Sequence, residues 1–284
     1  MPRCSAPTPV WKFVAGPAAV SSTAGSEAKR MRVLVTRPEP GAARTTARLS
    51  RLGHDAVCMP LFETTITAVV GDLPPASRIS GFIATSARAF ALFGAGNSAD
   101  RSIFDSPVHV VGPATAQAAR EAGFATIDEA GGVARDLARA VIDRHSTADS
   151  GDTRTGSEAA QRGLIYLAGV PRTSVIEDAL RSARVRFSVV ECYKMTEISY
   201  STDILISGIL SPPPDVVLLY SGGAVRRLVD LATAEEVGKT LNKARFACLS
   251  QAIAAELPEQ WRARAVAADH PDEDSLLASL AALG

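Results

Sequence analysis

The sequence predicts an α/β protein of two similar lobes, each a parallel β-sheet flanked by helices. Three observations carry that prediction. Short apolar runs alternate with segments of helical period, the pattern of parallel strands joined by crossover helices. The units come in two sets with the same internal order. Val35 and Leu167 are 132 apart, Ser86 and Ser221 are 135 apart, and Pro113 and Gln251 are 138 apart, a spacing that drifts as loop insertions would make it drift. Finally, 284 residues with 46% apolar content are enough for two cores.

Residues 1–30 stand apart, because Pro, Ser, Thr, Ala and Gly dominate and no periodicity is present. They read as disordered, or as an extension upstream of a natural start at Met31. Arg32 to Thr36 then reads as a short buried strand. Ala42, Thr45, Leu49 and Leu52 fall at i, i+3, i+7 and i+10, one face of an amphipathic helix that Gly53 stops. His54 to Phe62 reads as an extended apolar segment. The second unit has a strand at Gly81–Ala84 and a helix that Thr85 or Ser86 can cap, burying Ala89, Leu92 and Phe93.

The third unit, VHVVGPATAQAAREAG from Val108 to Gly123, is the most explicit. Val108, Val110 and Val111 form the strand, and Gly112 allows a tight turn. Pro113 suits the first helical turn, where its missing N–H is not needed, and Gly123 suits the C-terminal cap. A further helix follows from about Val133 to Ile142. Residues 146–162 are rich in Ser, Thr, Gly and charge and read as a solvated loop. After it, Gly163–Met195 echoes the first unit, Asp215–Leu231 the second and Ala244–Leu257 the third.

Composition excludes several function classes. Thirty basic residues balance thirty acidic ones, so nothing points to nonspecific nucleic-acid binding. No apolar run reaches the roughly 18 residues a membrane-spanning helix needs. Cys4, Cys58, Cys192 and Cys248 have no paired spacing, and three lie in strand-like runs, where they read as small buried hydrophobes in a reducing cytoplasm. The four histidines show no ligand spacing, so no metal site is expected.

In parallel sheets, ligands bind at the carboxyl ends of the strands. Six polar turns fall there: Thr36-Arg37, Thr85-Ser86, Gly112-Pro113-Ala114-Thr115, Gly169 to Arg172, Ser221-Gly222-Gly223, and Ser250. Each sets small residues at a helix N-terminus, and one such terminus offers an anion about 0.3–1 kcal/mol. Several together can hold a polycarboxylate without a large net positive charge. Arg37, Arg88 and Arg172 can add charge-assisted bonds.

At these residues the chain resembles the uroporphyrinogen-III synthase family, through VLVTRPEPGAARTTARLSRLGHDAVCMPLFE, GFIATSARAF, VHVVGPATA and ECYKM, in that order. The resemblance runs from Met31 to the C-terminus. It implies two flavodoxin-like lobes joined by a two-stranded linker that crosses near Pro60–Glu63 and Val190–Thr196. The first lobe would be residues 31–60 with 195–284, and the second 61–194. The implied reaction converts hydroxymethylbilane, a linear tetrapyrrole with eight carboxylates, into uroporphyrinogen III. Water leaves, an azafulvene forms, ring D inverts through a spiro intermediate and the macrocycle closes. No cofactor is implied, and a cytoplasmic monomer is expected.

Tyr193 of ECYKM matches the family's candidate proton donor; its other reading is an aromatic that fills the linker. Thr85, Ser86 and Thr115 match binding positions, a role compatible with helix capping. Thr36, Arg37, Gly112, Pro113, Ala114, Gly169, Arg172, Ser221, Gly222 and Ser250 complete the predicted substrate contacts. The last repeat departs from the family: Ser250-Gln251-Ala252-Ile253 stands where a second Gly-Pro-x-Thr-like turn is common, so Ile253 offers no hydroxyl. Two rival readings use the same cleft. One is a bilobal protein that binds a polyanion without chemistry. The other, a nucleotide-dependent transferase, would want a phosphate loop, and neither G-x-G-x-x-G nor a P-loop lysine motif is present.

Overall fold

The computed structural model describes residues 29–94, 100–146 and 162–283. The expectations for residues 1–28 and 147–161 lie outside the described residues. The strands are β1 (Arg32–Val35), β2 (Asp55–Cys58), β3 (Phe62–Ile66), β4 (Ile79–Ala84), β5 (Val108–Val110), β6 (Ile127–Glu129), β7 (Gly163–Val170), β8 (Phe187–Glu197), β9 (Val216–Leu219), β10 (Arg245–Cys248) and β11 (Ala265–Ala267). The helices are α1 (Gly41–Arg51), α2 (Pro113–Ala122), α3 (Ala134–Ser146), α4 (Val175–Ser182), α5 (Gly222–Leu231), α6 (Glu235–Leu241), α7 (Gln251–Ala255), α8 (Glu259–Arg262) and α9 (Glu273–Ala278).

Consecutive residues of β1, β4, β7 and β9 are buried, rather than alternate ones. Such strands must be covered on both faces, which dictates sheets with helices on either side. The first sheet has the order β11-β10-β9-β1-β2, and its pairs are all parallel. Leu34, Val217, Leu219 and Phe246 face a core with Leu228, Leu241 and Trp261. Val33, Val35, Val216 and Leu218 face the opposite core with Leu49, Leu276 and Leu280. Each fully buried side chain of this size contributes about 1.5–3 kcal/mol. Trp261 stacks on Phe246 at 4.9 Å, and its indole N–H donates to Asn242 Oδ1 at 2.6 Å, so its polar edge is not orphaned.

The second sheet has the order β3-β8-β7-β4-β5-β6, parallel except where β3 runs against β8. One face packs Phe82, Val110 and Ile165 against Phe90 and Phe124; the other packs Ile83, Leu164 and Tyr166 against Leu137, Val141 and Leu180. Without β3, the two sheets share one plan. The β1-α1-β2 unit of the first corresponds to β7-α4-β8 of the second, and β9, β10 and β11 correspond to β4, β5 and β6. That shared order is what an internal duplication produces.

The sheets are joined by two chain segments, the stretch into β3 and the end of β8. Phe62 pairs with Glu197 and Ile66 with Tyr193 along this antiparallel ribbon, and the Tyr200 hydroxyl ties it to the Pro60 carbonyl at 2.8 Å. The ladder between β7 and β8 shifts register between Ala168 and Gly169, so that Ala168 faces Glu191 and Gly169 faces Tyr193. A bulge of this kind re-aims side chains. Here it leaves the successive residues Cys192 and Tyr193 both buried.

Three local expectations are corrected. Leu52 is not on the buried face of α1 but is 54% exposed, because the helix ends at Arg51 and the chain reverses through Gly53 at φ +83°. The helix after Ser86 is a 3-10 helix, Ala87–Phe93, which buries Phe90 with Ala89 and Leu92 and leaves Phe93 half-buried. Cys192 and Cys248 are fully buried, but Cys58 is half-buried because β2 is an edge strand, and its sulfur lies 3.0 Å from Thr46 Oγ1. No helix among the described residues is long and apolar enough to cross a membrane.

Candidate active site

In each sheet the strand order reverses direction at one place, between β1 and β9 and between β7 and β4. Clefts open at the carboxyl ends of such strands. In the second sheet that place holds a cavity of about 250 Å³. Thr85 and Ser86 enter from the end of β4, Gly169 and Arg172 from the end of β7, Tyr166 from within β7, and Tyr193 from β8. Ala134, Pro171 and Ile176 supply its apolar wall.

Tyr193 is 8% exposed, and the hydroxyl end of its ring sits over Gly169. A Cβ added at Gly169 would come within 2.5 Å of the Tyr193 hydroxyl. The glycine is therefore a steric requirement of the tyrosine's position. Ser86 Oγ accepts the Arg88 backbone N–H at 3.3 Å and caps the 3-10 helix. That cap sets Arg88 beside Tyr193. Burial pushes the Arg88 guanidinium below its usual value; Tyr193 offsets part of this, and Arg37 of the other lobe adds to it. Among the described residues, Arg88 has no carboxylate within ion-pairing distance. A half-buried cation without a counter-ion is poised for an anion.

Arg172 is placed differently. It binds Glu177 at 2.7 Å and Glu191 at 2.9 Å, and these hydrogen bonds raise its already high value. At the start of α2, Gly112 is extended, with φ −178°, and an added Cβ would meet nothing within 4 Å. Neither backbone conformation nor packing demands glycine there, and the space above the helix N-terminus is open. Thr115 is buried in the first turn of α2, and Pro113 and Ala114 are exposed on its rim.

The rim of the first sheet is engaged internally. Thr36 is 1% exposed, and its hydroxyl donates to the Leu218 carbonyl at 2.6 Å. Arg37 sits 4.7 Å over the Tyr220 ring and bonds Glu273 at 3.1 Å. Ser221 Oγ caps α5 by accepting the Ala224 N–H at 3.2 Å, and Ser250 Oγ caps α7 by accepting the Ile253 N–H at 3.4 Å. Gly222 is covered by the Glu256 carboxylate, which a Cβ there would strike, and Glu256 is itself paired with Arg226 at 2.6 Å. No group of three or more His, Cys, Asp or Glu among the described residues is arranged to hold a metal.

Residues 43–278 match the family model of uroporphyrinogen-III synthase HemD. The chain belongs to the uroporphyrinogen-III synthase family. Its function is that of the family, formation of uroporphyrinogen III in tetrapyrrole synthesis, a lyase-type reaction on a small tetrapyrrole. The solved structure of uroporphyrinogen-III synthetase from Helicobacter pylori superposes with TM-score 0.58 at 14% identity, covering 90% of this chain and 100% of that one. A mutant uroporphyrinogen III synthase from Thermus thermophilus gives 0.57 at 17% identity, covering 89% and 98%. At these identities the two structures speak for the two-lobed fold alone. No curated protein matches the sequence.

Among the uroporphyrinogen-III synthase positions read from sequence, the fold brings Thr85, Ser86, Gly169, Arg172 and Tyr193 into one cavity. Thr36, Arg37, Ser221, Gly222 and Ser250 lie on the other rim. Two residues of interest carried no such signal. Tyr166 reads as one more apolar position in the run GLIYLAGV, and Glu256 reads as a helix-end polar residue. Only packing shows that the first lines the cavity and the second covers Gly222.

Proposed function

We propose that this synthase acts as a hydro-lyase on hydroxymethylbilane, with one pyrrole and its carboxylate arms seated in the second-lobe cavity. A whole-ligand site commonly measures about 300–1,000 Å³. The cavity of about 250 Å³ is suited to part of the substrate, with the remainder extending towards the first lobe. The observation that carries the reading is the placing of the Tyr193 phenol on Gly169, with Arg88 nearby and without an ion-pair partner among the described residues.

In this scheme the Tyr193 hydroxyl donates its proton to the leaving hydroxyl as the C–O bond breaks, releasing water and the azafulvene. The substituted carbon of ring D attacks the azafulvene carbon to form the spiro centre. One bond of that centre breaks, the ring rotates and recloses, and the proton lost on rearomatisation returns to the phenolate. Most of the rate comes from holding the chain in the reactive fold, because the azafulvene chemistry belongs to the substrate. Thr85, Ser86, Arg88 and the open N-terminus of α2, from Gly112 through Pro113 and Ala114 to Thr115, bind carboxylates directly. Gly169 makes room for Tyr193, and Arg172 borders the cavity. Thr36, Arg37, Ser221, Gly222 and Ser250 form the opposing rim, where Thr36 acts by holding β1 to β9.

We further propose that residues 31–60 with 195–284 and residues 61–194 behave as separate lobes of a cytoplasmic monomer. Incubation with freshly made hydroxymethylbilane, followed by identification of the product isomer, tests the reaction. Uroporphyrinogen III is expected. Binding without turnover would support the polyanion-binding alternative, and closure without inversion of ring D would remove the proposed role of the cavity.

A further inference from the structure

We propose that Tyr166 is a second phenolic donor of this site and, together with Thr85, positions one substrate carboxylate at the floor of the cavity. The proposal rests on the reaction assigned above. Tyr166 lies within β7, paired with Ile83 of β4 and Val189 of β8, and is flanked by the buried Ile165 and Leu167. It is 2% exposed and its ring belongs to the apolar core with Leu137 and Ile176, yet the residue lines the cavity. Phenylalanine would fill the same core volume, so packing explains the ring, while the oxygen turns to the Thr85 hydroxyl. Thr85, Arg172 and Tyr193, which act on this oxygen electrostatically, line the same cavity as Tyr166.

Burial raises the Tyr166 phenol above its usual value, with the Thr85 hydroxyl and the Arg172 charge offsetting part of the rise. The group therefore stays protonated at working pH and can donate one hydrogen bond, but cannot act as a base. Thr85 offers a second hydroxyl at the same spot. Two neutral donors suit a carboxylate oxygen, since neither brings a counter-charge that must first be displaced. This arm would be fixed before and during reaction alike, so its loss should weaken binding more than turnover.

The test is steady-state kinetics on hydroxymethylbilane, with melting temperatures, for the wild type and for Tyr166→Phe, Thr85→Val, their double variant and Tyr193→Phe. Wild type must first yield uroporphyrinogen III; if it does not, the assigned reaction fails, independently of Tyr166. Given that, Tyr166→Phe should raise KM by roughly tenfold to a hundredfold, the effect of one hydrogen bond to a charged group. Its kcat should change less than about threefold, and its melting temperature little, because the ring remains. The double variant should be barely worse than the worse single one, as residues sharing one carboxylate couple. Tyr193→Phe should show the opposite split, with kcat falling and KM holding. A wild-type KM in Tyr166→Phe, a loss confined to kcat, or a loss that tracks the melting temperature would each overturn the proposal. Independent, multiplying effects of Tyr166→Phe and Thr85→Val would overturn the shared carboxylate.

Discussion

At the residue scale, the position of Tyr193 depends on two neighbours, Gly169 under its ring and Arg88 beside it. Tyr193→Phe keeps the ring and removes the donor. Turnover should fall by about 10²–10⁴-fold if the phenol is the main acid, and less than tenfold if orientation dominates. Gly169→Ala keeps the hydroxyl and displaces it, since the new Cβ would come within 2.5 Å of the oxygen. We expect at least a tenfold loss of uroporphyrinogen III formation, with a stability cost of about 1–3 kcal/mol from overpacking. Full activity in Gly169→Ala would show that the ring has freedom the close contact denies. A second residue matters for stability alone. His109 in β5 is 2% exposed, with Nδ1 3.2 Å from Asp128 and a buried Nε2 that has no hydrogen-bond partner among the described residues. Burial lowers it to about 4; Asp128 acts against this, while His145 and Arg144 reinforce it. The unfolded chain takes up the proton near pH 6.5, and the native protein does not. Stability is therefore complete above pH 6.5 and declines as pH falls from there towards 4, by on the order of 3 kcal/mol in total. Denaturant midpoints for wild type and His109→Gln at pH 7.5 and 5 should converge at the lower pH. A parallel fall in both proteins would assign the acid sensitivity elsewhere.

At the element scale, the helix N-termini of the two lobes differ in availability. The start of α2 is open above Gly112, whereas the start of α5 carries the Glu256 carboxylate from the end of α7. A carboxylate at that point already supplies what the α5 dipole attracts. Substrate binding at Gly222 therefore requires Glu256 to move aside. Glu256→Gln should lower KM by a few fold, with kcat unchanged, whereas a raised KM would mean that Glu256 helps to hold the rim in its binding shape. The helix boundaries themselves were largely readable. Pro113 opens α2 and Gly123 closes it as their chemistry requires, with Gly123 at φ +107°, whereas the extended Gly112 before it is not required to be glycine. Leu52 fits the periodic pattern yet lies outside the helix, because such a pattern does not state where a helix stops, and α1 ends at Arg51.

At the scale of the whole molecule, two strands alone carry the chain between the sheets, β3 and the end of β8. The first lobe grips the end of β8, where Arg227 donates to the Ile198 carbonyl at 2.9 Å and pairs with Glu197 at 3.4 Å. Arg37 of the first lobe disfavours the charged form of Arg88 in the second when nothing lies between them. A polycarboxylate placed there converts that repulsion into attraction to both sides. Binding should therefore draw the lobes together, and solution scattering should show a smaller radius of gyration with product than without. Superimposable curves would count against closure. Arg88→Ala should weaken binding and flatten its dependence on salt, because the charge pairing is lost.

The sequence by itself determined the alternation of strands and helices, the repeated order of the units and the small polar turns at the strand ends. These are local properties: consecutive apolar residues need cover on both faces, and Gly, Pro, Ser and Thr mark turns through their own backbone and hydroxyl chemistry. The resemblance to the synthase family singles out Tyr193. Tertiary structure alone decided which turns face an open cavity. The register shift that lays Tyr193 on Gly169, the arrival of Tyr166 at the cavity floor and the placing of Glu256 over Gly222 each join residues far apart in the chain or out of strand phase. No local pattern encodes such meetings, because they follow from how two sheets twist, pack and cross.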